Sequence, residues 1–396
     1  MRTVSRAWAL AIVLILLVAI GAGCTGGQGT STRSGDDDVG DDTGDDTSDD
    51  TGGDDTADDD TGDDDTGPLA WKLVTPTGNV PAALGFVEAV TDEANARMLF
   101  YGGLAGTGAT FLGEVVTLDY AGTSFGRIAA GGAAPPALYG AAVGWDETAR
   151  RFYLLGGITA SGTNPSLYVL DADAATWALA GDGTGTIGPR QLASAVWDAD
   201  RLVVFGGFKT HSGDPGGDLM GDLWQVTWNG DPGQAVFTSL PATGPDPRSN
   251  AASCLDAANG AWYVYGGAGL ASSFGDLWRL DLGDDSWHAV ASAGDAPPAA
   301  HSARCFADGA RDRLVLFGGI DDQTVENADT YLLDLAAAPP RWTMLPAADR
   351  TITGRYGGAM AYDAGRDRLL TFGGVVFTAV PDPTFSFFNE LWELRF

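Results

Sequence analysis

Arg313-Leu314-Val315-Leu316-Phe317-Gly318-Gly319 is a short apolar run closed by two glycines, and the chain contains six copies of it. They are Met98–Gly103, Phe152–Gly157, Leu202–Gly207, Trp262–Gly267, Leu314–Gly319 and Leu369–Gly374. The paired glycines are Gly102 and Gly103, Gly156 and Gly157, Gly206 and Gly207, Gly266 and Gly267, Gly318 and Gly319, Gly373 and Gly374. Successive copies are 54, 50, 60, 52 and 55 residues apart, the mark of a repeat architecture. Each run is short, aromatic and β-branched, and stopped by glycine, so each reads as a buried strand. Adjacent glycines accept φ > 0 and let another backbone come close. A tight turn after a core strand would explain one copy, but not six in register.

Each unit has three further parts. A small-residue stretch after a proline precedes the glycine strand, as in Pro247-Arg248-Ser249-Asn250-Ala251-Ala252-Ser253-Cys254. A third strand follows a variable loop: Glu114–Asp119, Ser166–Asp171, Asp222–Thr227, Asp276–Asp281, Asp329–Asp334 and Glu390–Arg395. A fourth opens on an aromatic: Phe125, Trp177, Phe237, Trp287 and Trp342. Four short strands with turn signals between them predict one antiparallel sheet per unit.

The double glycine, the acidic-Leu-aromatic strand and the Trp-led strand together resemble the Kelch repeat, over residues 71–396. The first and third units depart from it by placing Phe125 and Phe237 where the family has Trp. The resemblance implies an all-β fold, a β-propeller of four-stranded blades around a channel. Six units imply six blades. The sixth unit stops after its third strand, while a spare strand, Trp71-Lys72-Leu73-Val74, stands at the other end. Pairing it beside Leu391–Phe396 would complete the sixth blade, close the ring and remove an exposed edge.

The chain divides at residues 1–24, 25–67 and 68–396. Arg2, Arg6 and the apolar run Ala7–Ile20 read as a secretory signal, too short for an ordinary membrane helix. Gly21-Ala22-Gly23-Cys24 is similar to the lipobox of bacterial lipoproteins, although Gly21 stands where that family prefers Leu. The similarity implies a lipid on Cys24 and a place in the cell envelope, at the outer membrane or cell surface; plain secretion is the alternative. Residues 25–67 repeat Asp, Thr and Gly and cannot bury enough surface to offset ordering entropy. They read as a disordered, charge-extended tether, and no calcium-loop spacing occurs among the carboxylates.

Net charge is −31, and 17 Asp lie in residues 36–65. After Gly67 there are 36 acids against 19 bases. Nucleic acid is therefore excluded as a partner class, because phosphate binding needs a basic surface. The histidines, His211, His288 and His301, show no metal-ligand spacing, and no nucleophile elbow or paired-cysteine motif occurs. No catalytic residue, metal or cofactor is expected. His301 stands on a proline-led first strand, which the Kelch resemblance places along the channel, and joins Arg190, Arg248 and Arg355 as a candidate ligand contact at the channel mouth.

Cys254 and Cys305 each lie seven residues after a proline, on first strands of adjacent units. A disulfide between them and two free thiols both remain open. Arg190, Arg248 and Arg355 stand where first strands begin, with Ala82, Ala137 and Ala299 in the other units. In a ring they gather at one mouth of the channel, either as structural ion pairs or as contacts for an anionic ligand. The stretches after the double glycines are longest at Phe208–Gly221 and at the Phe-rich Val375–Asn389. The leading functional expectation is an exported, monomeric, lipid-anchored module presenting loops to a protein or glycan. The alternative is a carbohydrate-active propeller, such as a sialic-acid mutarotase, with Glu88 and Arg190 in the channel. The copper oxidases of the same repeat class need a Tyr, His and Cys set that is not recognisable here.

Overall fold

The computed structural model describes residues 69–106, 110–211, 214–229, 234–241, 243–345, 352–378 and 384–396. Cys24 and the acidic segment 25–67 lie outside the described residues, as do the side chains of residues 210–216. The described chain is nearly all strand; its one helical element is the 3-10 turn Ala257–Asn259.

Six sheets carry the architecture, each built on one glycine-terminated run. Sheet 1 orders Ala89–Asp92, Arg97–Tyr101, Val115–Asp119 and Ser124–Ile128; sheet 2 orders Leu138–Asp146, Arg151–Thr159, Ser166–Asp171 and Thr176–Asp182. Sheet 3 orders Ser194–Asp198, Arg201–His211, Asp214–Trp228 and Ala235–Leu240. Sheet 4 orders Ala252–Asp256, Ala261–Tyr265, Leu277–Asp281 and Ser286–Ala289. Sheet 5 orders Arg304–Asp308, Arg313–Phe317, Thr330–Asp334 and Arg341–Met344. Sheet 6 orders Ala359–Asp363, Arg368–Phe372 and Leu391–Arg395, with Trp71–Val74 as its outer strand. Trp71 lies opposite Leu394 and Val74 opposite Leu391, antiparallel, so the two ends of the folded part share one sheet.

The second strands are apolar throughout because both faces of each sheet are covered. Leu314 and Leu316 pack with Tyr263 and Tyr265 of sheet 4, while Val315 and Phe317 pack with Leu369 and Trp392 of sheet 6. Likewise Leu99 and Tyr101 face sheet 2, and Met98 and Phe100 face Leu370 and Phe372 of sheet 6. Comparable clusters join sheet 2 to sheet 3 and sheet 3 to sheet 4.

The double glycine has a specific task between sheets. The N–H of the second glycine donates to a carbonyl of the next sheet's entry segment. Gly103 donates to Leu138 at 2.9 Å, Gly157 to Arg190 at 2.9 Å, Gly207 to Arg248 at 2.9 Å and Gly267 to Ala300 at 2.9 Å. Gly319 donates to Arg355 at 3.0 Å and Gly374 back to Leu84 at 2.9 Å. The first glycine is left-handed in every copy, and a Cβ there would lie under 3.0 Å from that same carbonyl. These bonds also correct the expected register: the counterparts of Arg190, Arg248 and Arg355 are Leu84, Leu138 and Ala300, not Ala82, Ala137 and Ala299.

Two residues on, a second cycle runs through backbone groups. Phe86, Gly140, Leu192, Asn250, Ser302 and Gly357 all have positive φ. Phe86 N–H donates to Gly357, Gly140 to Phe86, Leu192 to Gly140, Asn250 to Leu192, Ser302 to Asn250, and Gly357 to Ser302, at 2.7–3.1 Å. The left-handed turn swings each N–H sideways to the preceding sheet. Side chains tolerate it because every donor is satisfied.

The strand-to-sheet connectors are held in two ways. Entering sheets 1, 2 and 5, the connector adds a short parallel strand to the outer edge: Thr77–Gly78, Gly131–Gly132 and Ala293–Gly294. Entering sheets 3, 4 and 6, it carries a buried arginine instead. Where Phe208–Gly221 reads as a glycine-rich loop, the structure extends the two central strands of sheet 3 into a long hairpin with a register shift near Gly207.

The opposite ends of the sheets, here the turn face, are tied by arginine–carboxylate contacts. Asp92 is fully buried and accepts from Arg97 Nε at 2.7 Å and from both terminal nitrogens of Arg150, in the next sheet, at 2.6 and 2.7 Å. Burial pushes its pKa up, but the hydrogen bonds from Arg150, Asn95 and Arg97 outweigh that and lower it from 3.8 to about 2. A depressed carboxyl stabilises the fold above its unfolded value and loses that contribution as pH falls. Asp92→Asn is therefore expected to cost about 2 kcal/mol at neutral pH and little near pH 2. Urea midpoints at pH 7 and pH 2.5 measure this; an equal loss at both would refute the ionic role.

Candidate functional site

The loop face, where the double glycines lie, gathers the residues just before the hydrogen-bonded cycle. These are Gly85, Tyr139, Gln191, Ser249, His301 and Tyr356, one per sheet at one register. Four of them form backbone bridges to the residue after the double glycine, Phe208, Ala268, Ile320 and Val375. Phe86 lies between Tyr139 and Tyr356, with ring centroids 5.5 and 5.7 Å away. Gln191 Oε1 is buried without a hydrogen-bond partner. Tyr139 and Tyr356 are buried, and burial pushes both hydroxyl pKa values upward. Glu326 adds to the shift at Tyr356. The centre of this face is therefore a packed aromatic plug around one unpartnered amide oxygen, and the accessible apolar groups of the face lie at its loop tips.

His301 belongs to this group, bridging Ile320 just ahead of the first strand of sheet 5. Its Nδ1 lies 2.9 Å from Ser302 Oγ, and burial lowers its pKa to about 4 against the pull of Asp322 and Asp321. The ring is neutral at physiological pH. His288 is exposed beside Ser286, and the His211 side chain falls outside what is described.

The arginines do not offer free guanidinium groups to a ligand. Arg190 and Arg248 are 1% exposed and Arg355 2%. Arg190 grips both oxygens of Asp222 at 3.0 Å and donates to the Gly206 and Ile187 carbonyls. Arg248 does the same with Asp276, at 2.6 and 2.9 Å, and with the Gly266 carbonyl. Arg355 reaches Glu390 at 2.7 Å and the Gly373 carbonyl. Each therefore satisfies the carbonyl of the left-handed first glycine and the acid opening the third strand. Burial as charged ligand contacts would have left these groups unpaired, which is costly.

The Phe-rich stretch packs down on this face. Val375–Thr378 pairs with Thr384–Phe387, and Phe377, Phe385 and Phe387 cover Phe86, Tyr139 and Tyr356. Neighbouring loops brace one another: Ser273 N–H donates to Asp322 at 2.8 Å, and Phe377 N–H to Glu326 at 2.5 Å. Leu270 and Val325, 79% and 59% exposed, remain at the tips.

Behind the cycle lies a cavity of about 340 Å³, lined by first strands of all six sheets. Trp145 and Trp197 line it, as does the Cys254–Cys305 disulfide (S–S 2.03 Å, Cα–Cα 5.3 Å). Its two charges are Glu88 and Arg304, 2.9 Å apart. Arg304 spans three sheets, donating to Ala303, Gly358 and Val87 carbonyls. Burial raises the Glu88 pKa while Arg304 lowers it. Sequence reasoning named Glu88 but missed its partner. One signal was available: at this register the other units carry only Ala142, Ser194, Ala252 and Ala359.

Comparison with known proteins agrees with this architecture. A family model described as the KLHDC2/KLHL20/DRC7 Kelch-repeats domain matches residues 50–229 and 150–374. Adagio-like protein 1 of Oryza sativa subsp. japonica is 30% identical over 185 residues, covering 46% of this chain and 28% of its own length. Adagio protein 3 of Arabidopsis thaliana is 29% identical over 185 residues, with the same coverage. Multiple epidermal growth factor-like domains protein 8 of Homo sapiens is 29% identical over 204 residues, 49% of this chain and 7% of its own. The matched region is thus under a third of these relatives. The repeated double glycines, the sheets they terminate and the family match lead to one conclusion: this chain belongs to the Kelch-repeat family of β-propeller proteins.

Proposed function

We propose that the chain is a closed six-bladed Kelch propeller that acts as an interaction module, exported and held at a membrane by a lipid on Cys24. Closure is supported by the two backbone hydrogen-bond cycles and by the strand shared between the chain ends. The Cys254–Cys305 bridge suits an oxidising compartment. The observation that carries the binding reading is the pair of exposed apolar side chains at the loop tips, Leu270 and Val325, on braced loops of one face. A rigid scaffold with such a face takes a protein or glycan partner.

A photo-reactive residue at Val325, on the loop face, is expected to capture a specific envelope partner. Leu270→Asp should abolish that capture, and a probe at exposed His288 should capture nothing. Equal capture from both places would sink the reading. Mass spectrometry of the mature N-terminus tests the anchor: an unacylated residue there removes it. The carbohydrate-active alternative keeps one support, the upward-shifted Glu88 inside the cavity. Arg190 has no part in it, being locked on Asp222. Faster sialic-acid anomer exchange by NMR, lost in Glu88→Gln, would move the assignment there.

A further inference from the structure

The outer edges of the sheets are not alike. In sheets 1, 2 and 5 the chain's own connector occupies the edge as a parallel strand, always in one pattern. A residue N–H donates two positions before the aromatic, as Thr77 to Thr123, Gly131 to Ala175 and Ala293 to Pro340, at 2.9–3.1 Å. The next residue is a glycine opposite the aromatic: Gly78 at Phe125, Gly132 at Trp177 and Gly294 at Trp342. The residue after it donates to the aromatic's own carbonyl: Asn79, Ala133 and Asp295, at 2.8–3.0 Å. Each glycine has φ between +76° and +86°, and a Cβ would lie under 3.0 Å from that carbonyl.

Sheet 3 has the same edge, and among the described residues no added strand occupies it. Its outer strand, Ala235–Leu240, is six residues long, uncharged and free of proline. Among the described residues no backbone group from outside the sheet bonds to it. Its aromatic, Phe237, is only half-buried, whereas Trp71, Phe125, Trp177, Trp287 and Trp342 are all 8% exposed or less. Sheets 4 and 6 also lack the added strand, but their outer strands, Ser286–Ala289 and Trp71–Val74, are four residues long and their aromatics are 8% and 3% exposed. Gly181 packs on Phe237 as Gly244 packs on Trp287, yet leaves Phe237 less covered. Natural sheets usually guard a long bare edge with charge, proline or a bulge, and this one has none of the first two.

We propose that the outer edge of Ala235–Leu240 is a docking edge for an extended segment of a partner protein, running parallel to it with glycine opposite Phe237. The chain's three self-filled edges supply the template. The segment's first N–H bonds the Ala235 carbonyl, the glycine sits over Phe237, and the next N–H bonds the Phe237 carbonyl. Such strand addition takes its affinity from main-chain bonds and its selectivity from side-chain fit. Charge complementarity selects an uncharged or basic segment, because the folded part carries 36 acids against 19 bases. The inference rests on the interaction-module reading but not on the loop face.

The probe is a labelled peptide copying residues 129–136, Ala-Ala-Gly-Gly-Ala-Ala-Pro-Pro, added to the full chain. Saturable binding is expected, at least tenfold weaker when alanine replaces the second glycine. Amide exchange at Phe237 and Ser239 is expected to be fast in the free protein and at least tenfold slower with peptide. Ser239→Pro, which removes an outward N–H, should abolish binding with Tm unchanged. Equal affinity for both peptides overturns the proposal. So does protection of Phe237 and Ser239 in the free chain, which would mean that the chain itself or a second copy already fills the edge. The exchange measurement needs no variant. Loss of loop-face capture with these results intact would remove the loop-face assignment alone.

Discussion

Trp71→Ala is expected to lower the unfolding free energy by about 4 kcal/mol, the usual range for removing a fully packed Trp. Trp71 is 3% exposed, lies 4.8 Å from the Phe317 ring, and donates its Nε1 hydrogen to Thr330 Oγ1 at 2.8 Å. Both contacts belong to sheet 5, while its backbone completes sheet 6, so one side chain ties two sheets and both chain ends. Leu73→Ala, on the same strand but 60% exposed, should change stability by no more than about 0.5 kcal/mol. Urea denaturation of both variants makes the comparison. If removing residues 69–74 altogether left the urea midpoint unchanged, the ends would not be holding the ring.

Gly156→Ala is expected to cost about 3 kcal/mol for one added methyl group. Forcing a residue with a side chain into the left-handed region costs roughly 1–2 kcal/mol. The new Cβ would also collide with the Arg190 carbonyl, which accepts from Gly157, and displacing that bond adds about 1 kcal/mol or more. Gly185→Ala is the control: its φ is +84°, but nothing lies within 4 Å of its Cβ. It should lose only the conformational part. Equal losses in the two variants would mean that the contact between sheets adds nothing.

The fold was legible because its rule is imposed on single residues. A backbone carbonyl must approach the end of each second strand, and only glycine leaves room, so the requirement is written six times. The unpaired Trp71-Lys72-Leu73-Val74 was legible for a similar reason, since a unit without its fourth strand leaves the count uneven.

The site was less legible because it depends on which groups meet across sheets. Arg248 and Asp276 are 28 residues apart and belong to one unit, yet nothing local shows the arginine turning inward. Glu88 and Arg304 come from sheets 1 and 5, and only the packing of separate sheets brings them together. The extended hairpin of sheet 3 was misread because its glycines and aspartates carry loop propensity, and cross-strand pairing overrode it.

The direction of Trp71–Val74 has a consequence for orientation in space. Trp71 lies opposite Leu394, near the turn-face end of the sheet, and Val74 opposite Leu391, near the loops. The polypeptide therefore enters sheet 6 from its turn-face end, along the outer edge. A leash on Cys24 would hang from that side, and Leu270 and Val325 at the loop tips would look outward, away from the bilayer, like a dish on a stalk.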